Sequence, residues 1–113
     1  MSDPSYFDER ETRDPADRER ALYQRLPEQI AFAKNHAPAY AQLLDGIDPA
    51  GTTGPGELAR IPVVRKSELL EKQAAARPFG GFAACDLADV TRVFGSPGPI
   101  YEPEPAGDNL SLI

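Results

Sequence analysis

The feature that most constrains this chain is a long stretch of helical periodicity that begins at Asp14-Pro15. The Asp14 carboxylate can accept hydrogen bonds from the free N–H groups of a first helical turn, and proline at the first helical position loses no bond. Apolar side chains then recur every three or four residues over about six turns, which is typical of a helix with one buried face. The spacing therefore predicts a helical region over Pro15–His36 as the dominant element. Its apolar positions are Leu22, Leu26, Ile30, Ala33 and Ala37.

Pro27 interrupts this helical region. Proline has no N–H to donate, and its ring clashes with the preceding turn of a helix. Two alternatives follow: a kink at Arg25–Leu26, or two consecutive helices of which the second begins at Pro27.

Two shorter helices are predicted further along the chain. Residues 38–44 are apolar and are closed by Asp45-Gly46, where glycine suits a left-handed helix cap. Residues 66–76 are helical by composition, and they offer Glu68 and Lys72 as an i,i+4 ion pair.

The remaining segments contain turns and one strand candidate. Residues 48–56 form a loop with five glycines or prolines that leads into a helical turn at residues 57–60, with Thr53 as a candidate N-cap. Only residues 91–95 have the character of a strand, and that strand would have an unpaired edge. The predicted fold class is therefore mainly α, a small helical region with one short strand near the carboxyl terminus.

The predicted organisation is one unit with two polar extensions. Residues 14–105 form the helical region, residues 1–13 are expected to be a mobile arm, and residues 106–113 are a tail. Tyr6 and Phe7 are the only large apolar side chains of the arm, and they either anchor it on the core or are exposed.

Composition narrows the classes of partner. Eighteen acidic against twelve basic residues give a net charge of −6, which disfavours nucleic acid and an anionic membrane. Cys85 is the one cysteine, so it makes no intrachain disulfide and fits a reducing cytoplasm. No apolar run approaches the length of a membrane span, and no leader pattern follows Met1. With 41% hydrophobic residues, no tryptophan and twelve prolines, marginal stability is expected.

The segment Arg92–Pro103, RVFGSPGPIYEP, is a strand candidate that runs into a loop of small residues. Such a loop is where α/β enzymes often present backbone N–H groups to a phosphate. Here three residues lack an N–H, and two others carry negative charge where an anion would sit. The sequence therefore predicts a poor anion cradle. The residues concerned are Pro97, Pro99 and Pro103, with Glu102 and Glu104.

The longer segment Pro78–Pro103 resembles the part of the AMP-forming phenylacetate–CoA ligase family that leads into its phosphate-binding loop, S-S-G-T-T-G-K-P. The resemblance extends over roughly Tyr6–Pro103, nearly the whole chain. The matching positions are Arg92, Val93, Ser96, Gly98 and Pro103. The positions at which the family's serine, threonines, glycine and lysine are replaced are Pro97, Pro99, Ile100, Tyr101 and Glu102.

The resemblance implies candidate site residues. Ser96 and Gly98 would be the remaining cofactor-binding positions of a degenerate phosphate loop, and Phe79 or Phe82 would line an acyl-substrate pocket. ATP, Mg²⁺ and coenzyme A are implied for the full-length family, whereas no cofactor is expected for these 113 residues alone. No catalytic residue is assigned, and paired-cysteine or histidine-rich metal spacing is absent.

Three hypotheses about function remain open. The chain is an amino-terminal fragment of a phenylacetate–CoA ligase-like protein that is inactive by itself; or it is a small helical interaction module or partner subunit of ligase ancestry; or it is a truncated gene product. The expected partners are a second copy of the chain or a missing carboxyl-terminal ligase portion, and neither nucleic acid nor membrane.

Overall fold

A computed structural model describes residues 5–107, and these form four helices and one β-hairpin. The helices are α1 (Pro15–His36), α2 (Pro38–Leu43), α3 (Pro55–Leu58) and α4 (Lys66–Ala75), and the strands are β1 (Val90–Ser96) and β2 (Ile100–Pro105). Short 3-10 turns lie at Glu9–Glu11, Pro49–Gly51 and Leu87–Asp89. The mainly α fold class is confirmed. The described part has two strands, however, where the sequence predicted one.

Helix α1 begins and ends where the sequence predicts. The Asp14 carboxylate accepts a hydrogen bond from the Ala16 N–H at 2.8 Å, so it caps the helix. At the other end Ala37 is extended, as expected of a residue that precedes proline. Pro27 lies inside one continuous helix, so the alternative of two separate helices is wrong.

The core lies where α1, α2 and the loops beside them meet. Helix α1 packs against α2 and against the turn at Pro49–Gly51. The Lys34 ammonium donates to the Ile47 carbonyl at 2.8 Å, which holds that loop on α1. Within residues 5–107 the buried apolar residues are few: Ile30, Ala37, Ala39, Leu44, Phe79 and Ile100.

The predicted apolar face of α1 is covered only along part of its length. Ile30 is 5% exposed, whereas Leu22, two turns earlier, is 53% exposed. Phe32 is also exposed, and it stacks on His36 with ring centroids 4.4 Å apart. Helix α1 therefore presents apolar side chains to solvent in its first half, at Leu22, and in its second half, at Phe32.

Two predicted capping details are wrong. Helix α3 is capped by Gly54 without a side-chain hydrogen bond, because Thr53 lies one residue too early. In α4, the Glu68 carboxylate accepts from the Arg65 N–H at 2.7 Å, and this capping bond replaces the predicted ion pair with Lys72. In α4 the Glu68 side chain thus reaches back to the backbone N–H of the N-cap residue, as in one half of a capping box.

Strand β2 escaped prediction because its sequence, IYEPEP, carries two prolines and two glutamates. Antiparallel strands pair in the register Val93↔Pro103, Gly95↔Tyr101 and Ser96↔Ile100. Residues of a strand at the edge of a sheet point their N–H groups alternately toward and away from the neighbouring strand. Prolines on the outward-pointing positions therefore cost the hairpin no hydrogen bond.

The amino-terminal residues that are described lie on the surface. Tyr6 is 48% and Phe7 75% exposed, so the pair does not anchor the arm on the core. Arg10 forms an ion pair with Asp8 and lowers the pKa of that exposed carboxyl. The mobility predicted for the arm stays a prediction. The predicted tail, residues 106–113, lies almost wholly outside the described residues, as do residues 1–4 of the arm.

Candidate functional site

The predicted phosphate-loop positions lie in the tight turn that joins β1 to β2. Ser96 is the last residue of β1 and pairs with Ile100, the first residue of β2. Its hydroxyl donates to the Ile100 carbonyl at 3.4 Å, a long bond that closes the turn. The structure therefore brings Ser96 and Gly98 together, but within a hairpin turn rather than in an open loop before a helix.

Helix α4 holds this turn from one side. The Lys66 ammonium donates to the Pro97 carbonyl, which joins the first residue of α4 to the turn. Gly98 has φ +149°, and a Cβ at this position would lie 3.3 Å from Leu70 Cδ2. The positive φ favours glycine at this position, and the turn lies close against the side chains of α4.

The Gln73 side chain attaches β2 to α4. Its amide nitrogen donates to the Tyr101 carbonyl and its amide oxygen accepts from the Tyr101 N–H, each at 2.9 Å. Gln73 is 3% exposed, so both polar ends are satisfied in a buried position. No role was predicted for Gln73 from the sequence. A lone glutamine among leucines and alanines was the available signal.

A buried ion pair joins the two strands. Glu104, with a side chain only 4% exposed, faces Arg92, whose side chain is 70% exposed. The guanidinium donates to Glu104 Oε1 at 3.0 Å, and its Nε lies 2.7 Å from Oε2 without the alignment of a hydrogen bond. Arg92 also lies with its guanidinium carbon 5.8 Å from the Phe94 ring centroid. Arg92, the one basic residue of β1, is therefore already paired with a carboxylate of the same hairpin.

The predicted substrate-pocket residues are separated. Phe79 is 6% exposed and lines an open cleft of about 720 Å³, together with His36, Pro38 and Cys85. Phe82 instead packs edge-to-face on Tyr40, with ring centroids 5.2 Å apart, and lies 5.9 Å from the Lys72 ammonium. Phe79 therefore borders this cleft, whereas Phe82 is not among the residues that line it.

Two further features bear on the kind of site. Among residues 5–107, no three side chains of the His, Cys, Asp and Glu types are grouped closely enough to hold a metal ion. In the same range, no helix combines the length and the apolar character needed to cross a bilayer.

Comparison with known proteins gives a consistent assignment. No protein-family model matches the chain. A phenylacetate–coenzyme A ligase of Thermus thermophilus is 37% identical over 96 residues, which is 82% of this chain and 20% of the relative. Two crystal structures of 2-hydroxyisobutyryl-CoA ligase also match. One holds the postadenylation state with R3-HIB-AMP (TM-score 0.73, 29% identity), and the other holds 2-HIB-AMP and CoA in the thioesterification state (TM-score 0.72, 26% identity).

These structures cover 89% and 93% of this chain, but it covers only 24% and 25% of theirs. By sequence and by fold, the chain belongs to the AMP-forming CoA ligases. Within that class it is similar to phenylacetate–CoA ligase, and it spans about a fifth of the length of this curated relative.

Proposed function

We propose that the chain represents the amino-terminal region of a phenylacetate–CoA ligase-like protein and that it does not activate an acid by itself. The whole reaction would be ATP-dependent adenylation of an aryl or acyl carboxylate, followed by transfer to coenzyme A. The ligands of the related 2-hydroxyisobutyryl-CoA ligase, an acyl adenylate and CoA, support these cofactors for the family. Mg²⁺ belongs to the same proposal. Since ATP and CoA are cytoplasmic metabolites, the proposed location is the cytoplasm.

The hairpin turn is the observation that carries this proposal. Adenylation brings a carboxylate against the negative phosphates of ATP, so a competent site aims N–H groups, hydroxyls and cations at the transferring phosphoryl group. Pro97 and Pro99 supply no N–H, Lys66 is bonded to a backbone carbonyl, and Glu102 adds negative charge. The Ser96 hydroxyl bonds the turn itself. Little is left that could hold a triphosphate.

Release of pyrophosphate tests the proposal directly. The purified chain, incubated with ATP, Mg²⁺, CoA and either phenylacetate or 2-hydroxyisobutyrate, is expected to release pyrophosphate at the rate of a no-protein blank. The full-length Thermus relative serves as the positive control for the assay with phenylacetate. Turnover above the blank that persists through repurification would contradict the proposal.

Calorimetric titration with ATP and with AMP tests the turn separately from the missing parts. No saturable heat is expected at millimolar nucleotide. The matched variant is Ser96→Ala, which removes the last hydroxyl of the turn. Saturable binding by the natural chain that the variant loses would show that the turn still holds a nucleotide.

A second candidate is a partner subunit or interaction module of the same ancestry. Exposed apolar side chains favour it, because Leu22 and Phe32 on α1 and Val93 on β1 stay uncovered within residues 5–107. It predicts that the chain is isolated in a complex, whereas the first candidate predicts that no stable partner is required for folding.

A further inference from the structure

The two outer edges of the hairpin differ in the backbone groups that they present. On β2, the N–H and C=O of Tyr101 are both bonded to Gln73. They therefore point away from β1, and alternation along the strand points Pro103 and Pro105 the same way. A proline offers no N–H, so this edge has no free donor at these three positions. Sheet edges closed in this manner resist the addition of another strand.

The outer edge of β1 is open. Gly95 is the partner of Tyr101 and Val93 is the partner of Pro103, so the N–H and C=O groups of both residues point outward. Nothing within residues 5–107 pairs with them, because the sheet contains only β1 and β2. The edge also lacks proline and lysine, and Val93 is 53% exposed. A two-stranded sheet is marginally stable by itself, so a third strand on this edge would stabilise the hairpin.

We propose that β1 is a self-association edge, on which the β1 strand of a second copy of this chain pairs antiparallel about a two-fold axis at Val93. The Val93 residues of the two copies then exchange two backbone hydrogen bonds. The irregularity of β1 between Val90 and Arg92 confines the regular pairing to residues 92–94 of each copy. The product is one four-stranded sheet in the order β2, β1, β1, β2. This inference goes beyond the proposed function and does not depend on it.

The side chains of β1 fit a second copy of the same strand. Pairing about Val93 sets Arg92 of one copy opposite Phe94 of the other, which extends across the interface the arginine–aromatic contact already present within one chain at 5.8 Å. Arg92 is the only charged residue of β1, and in this register the two arginines do not face each other. Valine and phenylalanine are residues that strands favour, and both are exposed here.

The same geometry limits assembly to two chains. Once the β1 strands are paired, the two edges that remain are those of the β2 strands, each closed by Gln73 and prolines. A two-fold contact pairs the open edges of both copies with each other, so no open strand edge remains for a third chain. The net charge of −6 on each chain opposes association, so the dimer is strengthened by salt.

Analytical ultracentrifugation of the full 113-residue chain tests the proposal. A dimer is expected that dissociates on dilution, and its dissociation constant is expected to fall when NaCl is raised from 50 to 500 mM. The test variant is Val93→Pro, which removes the outward N–H of each copy but no bond between β1 and β2. It should weaken the dimer about tenfold or more.

Two further variants keep the result interpretable. Val93→Lys keeps the backbone N–H but places like charges at the axis, so it should also give monomers even if the proline variant misfolds. Val63→Lys changes a valine that is 84% exposed in the loop before α4, and it should leave the dimer intact. Helical circular dichroism checks that each variant is folded.

Four results would overturn the proposal. The first is a monomer at every concentration up to about 0.5 mM. That result is expected if the edge accepts a strand of a longer ligase chain and not the β1 strand of a second copy. The second is a dimer that survives both Val93 variants, and the third is one that Val63→Lys abolishes equally. Higher oligomers instead of a dimer would also contradict it, because the β2 edges would then not be closed.

Discussion

At the scale of single residues, Arg92 and Glu104 form an ion pair whose two side chains are unequally buried. The carboxylate is enclosed between the strands while the guanidinium reaches solvent. An ion pair of this kind contributes less by its attraction than by preventing a charge from being buried alone. The two partners are therefore not equivalent as targets of mutation.

The Arg92→Ala variant should lower the free energy of unfolding by about 2–3 kcal/mol, because it leaves the Glu104 carboxylate buried without its cation. The Glu104→Gln variant keeps the shape of the side chain and frees an arginine that water can solvate, so it should cost about 1 kcal/mol. Urea unfolding of both variants and of the double variant checks the order. Equal losses for the two single variants would contradict the asymmetry.

At the scale of elements, the helices could be predicted from the sequence and the second strand could not. Asp14-Pro15 and Pro38 predict the starts of α1 and α2 correctly, because capping and proline at a first helical position depend only on neighbouring residues. Strand β2 depends on which of its groups point toward β1. Pro103 and Pro105 are compatible with a strand only in the register that the fold selects, so sequence order alone could not place them.

For the candidate site too, some features could be predicted from the sequence and others could not. Between residues 96 and 103, the family's hydroxyls and lysine are mostly absent from the sequence, so the sequence predicts a weak anion site, and this stays a prediction. The contacts that close the turn could not. Lys66 and Gln73 lie 31 and 28 residues away from their partners, and nothing in the chain between them indicates that they meet.

Pro27 gives a prediction that belongs to α1 as a whole. Within a continuous helix it removes one hydrogen bond and strains the preceding turn, so Pro27→Ala should raise the free energy of unfolding by about 1–2 kcal/mol. Pro15→Ala is the matched control, because at the first helical position proline costs nothing and the change should be near zero. Thermal unfolding followed by circular dichroism measures both. A neutral or destabilising Pro27→Ala would mean that the helix depends on a bend there.

At the scale of the whole molecule, a small helical core and a hairpin are connected through few contacts. The buried apolar set within residues 5–107 consists of two alanines, two isoleucines, one leucine and one phenylalanine, so the hairpin depends strongly on its polar attachments. Helix α4 makes its contacts with the sheet through β2. Gln73 is the buried part of that connection.

Replacing Gln73 with leucine should therefore separate the stability of the hairpin from that of the helices. Both Tyr101 backbone groups would lose their partner, at a cost of about 2–3 kcal/mol. Amide hydrogen exchange should accelerate over residues 90–105 and change much less in α1. The control is Gln29→Leu, an exposed glutamine on α1 that should leave exchange in the hairpin unaltered. Uniform acceleration in Gln73→Leu would show that the molecule unfolds as one unit.

The bond from Lys66 to the Pro97 carbonyl does not depend on the identity of the side chains in the turn. The carbonyl that this ammonium holds is part of the backbone, so it persists whatever side chain stands at position 97. A substitution that places a serine, threonine or lysine within residues 97–102 would therefore leave the turn attached to α4. Detaching the turn requires a change at Lys66 itself, 31 residues earlier in the chain.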